Sequence, residues 1–189
     1  MTPLLNRDVQ CFAFDVADAS GRLSRTDQAW LSDHLAKIAG YLTFQGEVRC
    51  RIVSDVEMLS LHTKFSNDPT TTDVLTFDLT EGKAAEHAAV GQTPVLDVDL
   101  IICLDEALRQ AAIRSHKPRR ELLLYCLHGI LHCLGHDDHD DEAYELMHKR
   151  EDEVLLAVGV GQTFAVRLGA SQDTGSVSLS REPTPENGR

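Results

Sequence analysis

The sequence of 189 residues lacks any run of about 18 consecutive apolar residues, the length that a membrane-spanning helix requires. Its first ten residues contain no basic region followed by an apolar run, so no secretory leader is indicated. An excess of positive charge is also lacking, because 30 acidic and 18 basic residues give a formal charge of −12. Since Lys and Arg provide the attraction to phosphates, this balance excludes a general nucleic-acid coat protein.

A disulfide framework is lacking as well. The cysteines are odd in number and widely spaced, at positions 11, 50, 103, 126 and 133. Four of them lie in apolar or strand-like surroundings, which is typical of buried thiols in a reducing compartment. We therefore expect a cytoplasmic protein without membrane partners.

Apolar patterns predict an α+β fold, in which a mixed sheet of about four strands packs with helices. Strands are predicted at residues 9–16, 48–52, 73–79 and 95–104. Helices are predicted at residues 24–42, 54–65, 105–113, 118–134 and 141–156. Residues 1–160 are interpreted as one domain, whereas residues 161–189 are poor in apolar side chains and predicted to form a disordered tail. The order of the strands is not predicted.

The stretch CLHGILHCLGHDDHDD, residues 126–141, gathers many side chains able to bind metal. His128 and His132 are four residues apart, so on a helix their rings project from one face on consecutive turns. Unpartnered imidazoles would be costly to bury in so apolar a helix. Gly135 is predicted to end the helix and to turn the chain back with a third ligand. Three protein ligands leave a fourth position to water, as in a catalytic zinc site.

The sequence disfavours three other interpretations of this stretch. The two histidines could be core residues bonded to backbone or acids, but their spacing and the acidic cluster behind them favour a metal. A closed structural zinc with Cys126 or Cys133 is disfavoured, because Cys133 lies about 100° around the helix from His132. A zinc peptidase of the metzincin type would carry glutamate directly after the first histidine, where this sequence has Gly129.

Three stretches resemble the YbeY family, bacterial metal-dependent endoribonucleases of ribosomal RNA maturation. HGILHCLGHDDHD, residues 128–140, resembles the family signature H-G-x-L-H-x-x-G-x-D-H. LHTKFSNDPTTTDVLTF, residues 61–77, is similar to the block L-N-x-x-Y-R-x-K-D-x-P-T-D-V-L-S-F. LDVDLIICLDEALRQA, residues 96–111, resembles the segment L-G-D-I-x-I-C, with Asp99 at the family aspartate. The similarity spans roughly residues 45–155.

The resemblance implies a single-strand-specific endoribonuclease with one Zn²⁺ ion, in which His128 and His132 are metal ligands and catalytic residues. It implies ribosomal RNA as substrate, the small ribosomal subunit as partner, and a role in maturation of the 3′ end of small-subunit RNA and in ribosome quality control. Zinc lowers the pKa of bound water from about 15.7 toward about 7 and polarises phosphoryl oxygens, chemistry that does not need the missing glutamate.

A basic segment, residues 109–120, precedes the predicted metal helix and contains no acidic residue. Its cations are Arg109, Arg114, Lys117, Arg119 and Arg120. Such a run is either a solvated helix surface or, in a ribonuclease, a surface for the RNA backbone. Its position beside the predicted metal helix favours the RNA surface.

The third metal ligand is one departure from the family pattern. Counted without gaps, the family's third histidine falls on Asp138, whereas His139 stands one residue later. Asp138 would bind through oxygen, and a slip of one residue would present His139 instead. Three neutral imidazoles would leave the ion a stronger Lewis acid, which favours His139.

The second departure concerns phosphate binding. The family block has an arginine after its aromatic residue, where this sequence has Ser66 after Phe65. A serine cannot hold a phosphate by charge. Lys64, Arg119 or Arg120 are the candidates to compensate. The alternative function is a ribosome-assembly binding factor with a structural metal and little nuclease activity.

Overall fold

The computed structural model describes residues 12–82 and 91–164, which form four strands and five helices. The strands are β1 (Phe12–Asp18), β2 (Gln45–Val53), β3 (Val74–Asp78) and β4 (Val95–Cys103). The helices are α1 (Arg25–Leu42), α2 (Asp55–Ser66), α3 (Leu104–Arg114), α4 (Pro118–Cys133) and α5 (Asp141–Ala157). Each predicted element is present, within a few residues of its predicted bounds. Residues 9–11 of the first predicted strand lie outside the described residues.

The strands form one mixed sheet in the order β1-β2-β4-β3. Strands β1, β2 and β4 are parallel, and β3 is antiparallel to β4. The predicted α+β fold with a mixed four-stranded sheet is therefore confirmed. The later half of β4 is apolar on both faces, and this strand indeed lies inside the sheet, between β2 and β3.

The two faces of the sheet differ in polarity. Along β2, Val48, Cys50 and Ile52 are buried in the core that helices α1 and α4 share with the sheet. The alternate side chains point to the other face, where Arg49 donates to Asp99 over 2.5 Å. This period of two is what a strand with one wet face requires.

Helix α4 is the central helix of the fold. Eleven of its sixteen residues are buried, and it packs against α1, α3, α5 and strands β3 and β4. Its apolar residues lie on almost every side, which is the pattern of a helix enclosed by neighbours. The predicted central burial of this helix is confirmed.

Gly129 lets α4 lie close to the sheet. A Cβ atom at this position would be 2.6 Å from Leu100 Cδ2 and 2.7 Å from Thr76 Oγ1, both closer than carbon side chains approach. The residue that is glutamate in metzincin peptidases therefore faces β3 and β4 here. An acidic side chain at this position would require Leu100 and Thr76 to shift, so sterics as well as sequence disfavour a peptidase.

The segment after α5 packs back onto the helices. The backbone N–H groups of Thr163 and Phe164 donate to the Asp152 carboxylate, and Arg120 donates to the carbonyl oxygen of Gln162. These contacts involve residues 162–164 of the predicted tail. The rest of that tail, residues 165–189, lies outside the described residues, so the predicted disorder and the domain boundary stay predictions.

Four cysteines fall within the described residues, and all four are buried free thiols. Cys11 is not among the described residues. Within residues 12–82 and 91–164, no helix combines the length and the apolar character that crossing a membrane requires.

Candidate metal centre

A glycine turn at the end of α4 returns the chain to the histidines. Gly135 has a φ of +94°, its N–H donates to the carbonyl of His132, and the N–H of His136 donates to the carbonyl of Leu131. These two hydrogen bonds and the positive φ define a Schellman motif, which requires a left-handed residue after the helix. The predicted helix end at Gly135 is confirmed, and the turn brings residues 136–138 back toward the helix.

Three side chains meet at this turn. The Nε2 atoms of His128 and His132 are 3.0 Å apart, with ring planes at 86°. The two carboxylate oxygens of Asp138 are each 3.6 Å from one of these nitrogens. The ligand atoms of all three residues lie within 4.8 Å of one another, so one metal ion can reach them together.

The His139 ring does not join this group. It lies against the carboxylate of Asp137 and its side chain is 82% exposed. His139 does form a second, more exposed cluster with Asp137 and Asp138. The structure therefore brings the aspartate, rather than the following histidine, to the paired imidazoles.

The hydrogen bonds of the two Nδ1 atoms determine which ring atoms face the metal position. His132 Nδ1 is 3.0 Å from the carbonyl oxygen of His136, which can only accept, so Nδ1 carries the proton. His128 Nδ1 is 2.8 Å from Glu151 Oε1 and donates to that carboxylate. In the neutral rings, both Nε2 lone pairs therefore point toward each other and toward Asp138.

This donor set fits a divalent cation. Two nitrogen lone pairs and an anionic carboxylate would repel one another at these distances unless a proton or a metal cation lay among them. A tetrahedral zinc with bonds of about 2.0 Å separates its ligand atoms by about 3.3 Å. The observed separations of 3.0 and 3.6 Å lie on either side of that value. Metal-binding histidines usually donate a hydrogen bond from their second ring nitrogen, as Nδ1 does in both rings here.

Glu151 was not predicted as part of the site. Its side chain is 1% exposed, Oε1 accepts from His128, and Oε2 accepts from His148 Nδ1 over 2.6 Å. Burial alone raises the pKa of Glu151, but the hydrogen bonds from the two imidazoles outweigh it, and the pKa lies below its usual value. For His128, burial lowers the pKa and the bond to Glu151 raises it, with a net increase.

One sequence signal could have identified this glutamate. Met147, Glu151 and Val154 recur at helical spacing on the buried stripe of α5. An acid on such a stripe needs a polar partner in the core. The sequence does not say that this partner is His128.

A cavity of about 510 Å³ opens beside the metal cluster. His128 and Asp138 line it, together with Asp73 from the chain before β3, Arg114 from α3 and Tyr144 from α5. Polar groups from separate parts of the fold thus converge in one concave site, as expected for a substrate pocket.

The arginines of the basic segment have intramolecular partners. Each pairs with groups elsewhere in the described chain: Arg109 with Asp55, Arg114 with Glu121, Arg119 with Asp27, and Arg120 with the carbonyls of Gly161 and Gln162. Arg114 alone of these four is among the residues that line the described cavity. The role of the segment in binding RNA stays a prediction.

Ser66 is the exposed last residue of α2. Of the three predicted substitutes for the family arginine, Lys64 has its ammonium 5.0 Å from the ring centre of Phe65. Arg119 lies over Trp30, at 4.6 Å, and Arg120 binds the segment after α5. Lys64 is therefore the candidate that lies beside Ser66.

The chain is similar in sequence to known proteins. Residues 15–159 match the family model described as Endoribonuclease YbeY. A protein of that name from Macrococcus caseolyticus is 33% identical over 136 residues, covering 67% of this chain and 87% of the relative. Its namesake from Bacillus licheniformis is 31% identical over 160 residues, covering 79% and 96%. A solution structure from Thermotoga maritima aligns with a TM-score of 0.49 and 21% identity, over 88% of this chain and all of that one.

Proposed function

The chain belongs to the Endoribonuclease YbeY family, and from this premise we propose that it is a metal-dependent endoribonuclease acting on single-stranded RNA. One observation carries the proposal. His128, His132 and Asp138 direct their ligand atoms to one point, and that point adjoins a cavity lined by polar residues. The family resemblance supplies RNA as the substrate class.

The proposed ligands of the ion are His128, His132 and Asp138, and the proposed ion is Zn²⁺. Two nitrogens and one carboxylate oxygen are a donor set typical of catalytic zinc, with a remaining position for water. When bound, such an ion supplies a Lewis acid that polarises a phosphoryl oxygen and lowers the pKa of water. In the neutral rings, Glu151 and the carbonyl of His136 accept from the Nδ1 atoms, which orients both rings with their Nε2 lone pairs toward the metal position.

Hydrolysis of a phosphodiester also requires proton transfer. A water oxygen bonds to phosphorus, the bond to the leaving ribose oxygen breaks, the water loses a proton and the leaving oxygen gains one. The wall of the cavity offers the carboxylates of Asp73 and Glu106 as groups able to take a proton. Gly129 offers none, in accord with the absence of the peptidase base.

The biological substrate proposed is the 3′ end of small-subunit ribosomal RNA, with a further role in ribosome quality control and the small subunit as partner. These specifics follow from the family resemblance. The buried free thiols suit a reducing compartment, and a cytoplasmic location is part of the same proposal.

Metal removal tests the proposal. The zinc-loaded protein is expected to cleave a labelled single-stranded RNA and to leave the same RNA intact when it is annealed to its complement. Treatment with a chelator is expected to stop cleavage, and added Zn²⁺ to restore it. Cleavage that persists in chelator would contradict the proposal, because it would come from a metal-independent activity.

Glu151→Gln is expected to weaken zinc binding by about 10- to 100-fold, because the amide keeps the shape but loses the charge that fixes the His128 ring. Equilibrium competition with a zinc indicator measures this change. Glu153→Gln is the matched control, since Glu153 is a half-exposed acid on the same helix that bonds Tyr41 and Arg150. Equal zinc affinity of Glu151→Gln and the wild type would show that this carboxylate does not support the ligand.

A second candidate function is a ribosome-assembly binding factor whose metal is structural. The observation that favours it is Ser66, an exposed neutral residue at the position of the family's arginine. This alternative predicts that chelation lowers the melting temperature strongly and that the protein binds small subunits without cleaving RNA. A melting temperature unchanged by chelation would count against it.

A further inference from the structure

A buried phenol lines the same cavity. Tyr125 lies on α4 three residues before His128, is 4% exposed, and belongs to the cavity wall. Its hydroxyl has no hydrogen-bond partner among the described residues. A buried hydroxyl that makes no hydrogen bond loses its hydration without compensation, so such groups usually have a partner.

Two more residues that line the cavity have a buried polar atom without a partner in the described parts of the chain: Arg114, at Nε, and His148, at Nε2. Both side chains flank the Phe164 ring, which stacks on His148 at 3.7 Å and lies 5.5 Å from the Arg114 guanidinium carbon. One further nitrogen of each side chain is already engaged, Arg114 Nη1 by Glu121 and His148 Nδ1 by Glu151.

The three atoms offer both donors and acceptors. Arg114 Nε donates, whereas His148 Nε2 accepts in the neutral ring, because Nδ1 donates to Glu151. The hydroxyl of Tyr125 can do either. Burial, with the nearby charge of Glu121 as a further cause, holds the pKa of Tyr125 well above its usual value, so the phenol keeps its proton.

The charge of the cavity argues against a second phosphate. Four carboxylates, those of Asp73, Glu106, Asp138 and Glu151, line the cavity together with the guanidinium of Arg114, and this excess of negative charge repels an anion. Phosphate oxygens also only accept hydrogen bonds, which would leave the acceptor on His148 unmatched. A nucleobase is neutral and presents donors and acceptors along its edges, so it matches the set.

We propose that this part of the cavity is a nucleobase-binding subsite, in which Tyr125 is a specificity-determining residue that hydrogen-bonds the edge of an unpaired base beside the metal cluster. The inference rests on the proposed function, since it names the part of the RNA that the same cavity takes. A cavity of about 510 Å³ falls within the range of about 300–1,000 Å³ found for ligand pockets. A base held in a duplex could not enter it.

Tyr125→Phe removes the hydroxyl and keeps the ring. Because that hydroxyl is unpartnered within the described chain, the variant is expected to melt at the same temperature as the wild type or higher. Binding is measured on metal-free protein by fluorescence anisotropy, with short single-stranded RNAs that carry each of the four bases, or an abasic site, at one position. We expect Tyr125→Phe to bind the preferred base about three- to tenfold more weakly and the abasic RNA as well as the wild type does.

This comparison is a double-mutant cycle between the hydroxyl and the base. Tyr41→Phe is the matched control, because Tyr41 is an exposed tyrosine that bonds Glu153 and does not line the cavity. The inference is overturned if Tyr125→Phe weakens abasic and base-containing RNAs equally, if it changes neither, or if the metal-free protein binds none of these RNAs.

The readout also separates this inference from the proposed function. If binding depends on the base and on the Tyr125 hydroxyl, but the protein cleaves no RNA when zinc is added, the proposed nuclease activity is contradicted and the base subsite is supported. If cleavage depends on zinc but the Tyr125 hydroxyl and the base show no coupling, the base subsite is contradicted and the nuclease activity is supported.

Discussion

Replacing His128 and His132 together by alanine is expected to abolish stoichiometric zinc binding and to lower cleavage of single-stranded RNA by at least about a thousandfold. The two Nε2 atoms are two of the three ligand atoms in the cluster, and Asp138 alone offers no chelating pair of nitrogens. A metal ion contributes several kcal/mol to stabilisation of the transition state, and each 1.4 kcal/mol corresponds to a tenfold change in rate. Elemental analysis after dialysis and the rate of cleavage measure the two effects.

A second pair of substitutions controls for general loss of imidazole. His62→Ala combined with His139→Ala also removes two rings, but His62 bonds the carbonyl of Thr70 and His139 lies against Asp137, both apart from the cluster. This control variant is expected to keep zinc and activity. Retention of one zinc per chain by the His128 and His132 variant, with its circular dichroism unchanged, would exclude the proposed centre.

The histidine pair could be predicted from sequence because its geometry is local. A spacing of four on a helix fixes the relative positions of His128 and His132 whatever the rest of the chain does. The helix end at Gly135 could also be predicted, since a glycine after the last apolar residue is the usual end of a helix. The hydrogen bond between His128 and Glu151 could not be predicted, because the two residues are 23 positions apart in the sequence and meet only through the packing of α5 against α4.

The order of the strands could not be predicted for the same reason, because it depends on long-range contacts. Alternation and helical spacing gave the elements, and the doubly apolar half of β4 correctly predicted an inner strand. The order of the strands depends on contacts between distant segments, which no local pattern encodes. The arginines of the basic segment illustrate this point: their charge was evident, but Arg119 pairs with Asp27 on α1 and Arg109 with Asp55 on α2, both far away in the sequence.

The choice between Asp138 and His139 depends on the turn. In sequence the two residues are neighbours, and a slip of one position would exchange them. In the structure, the Schellman motif at Gly135 determines which of the two residues faces the helix. The His136 carbonyl accepts from His132 Nδ1, and the Asp138 carboxylate lies 3.6 Å from the Nε2 atoms of both imidazoles. The preference for three imidazoles, based on Lewis acidity, did not include this backbone constraint.

Asp138→Ala is therefore expected to weaken zinc binding by more than about a hundredfold, a larger effect than the loss of a supporting residue causes, whereas His139→Ala should leave the affinity unchanged. Asp138→His is expected to keep zinc bound, because an imidazole there restores the three-histidine pattern that the family signature carries. Titration with a competing chelator measures all three variants. A large loss of affinity in His139→Ala, with Asp138→Ala unaffected, would mean that the turn slips by one residue when the metal binds.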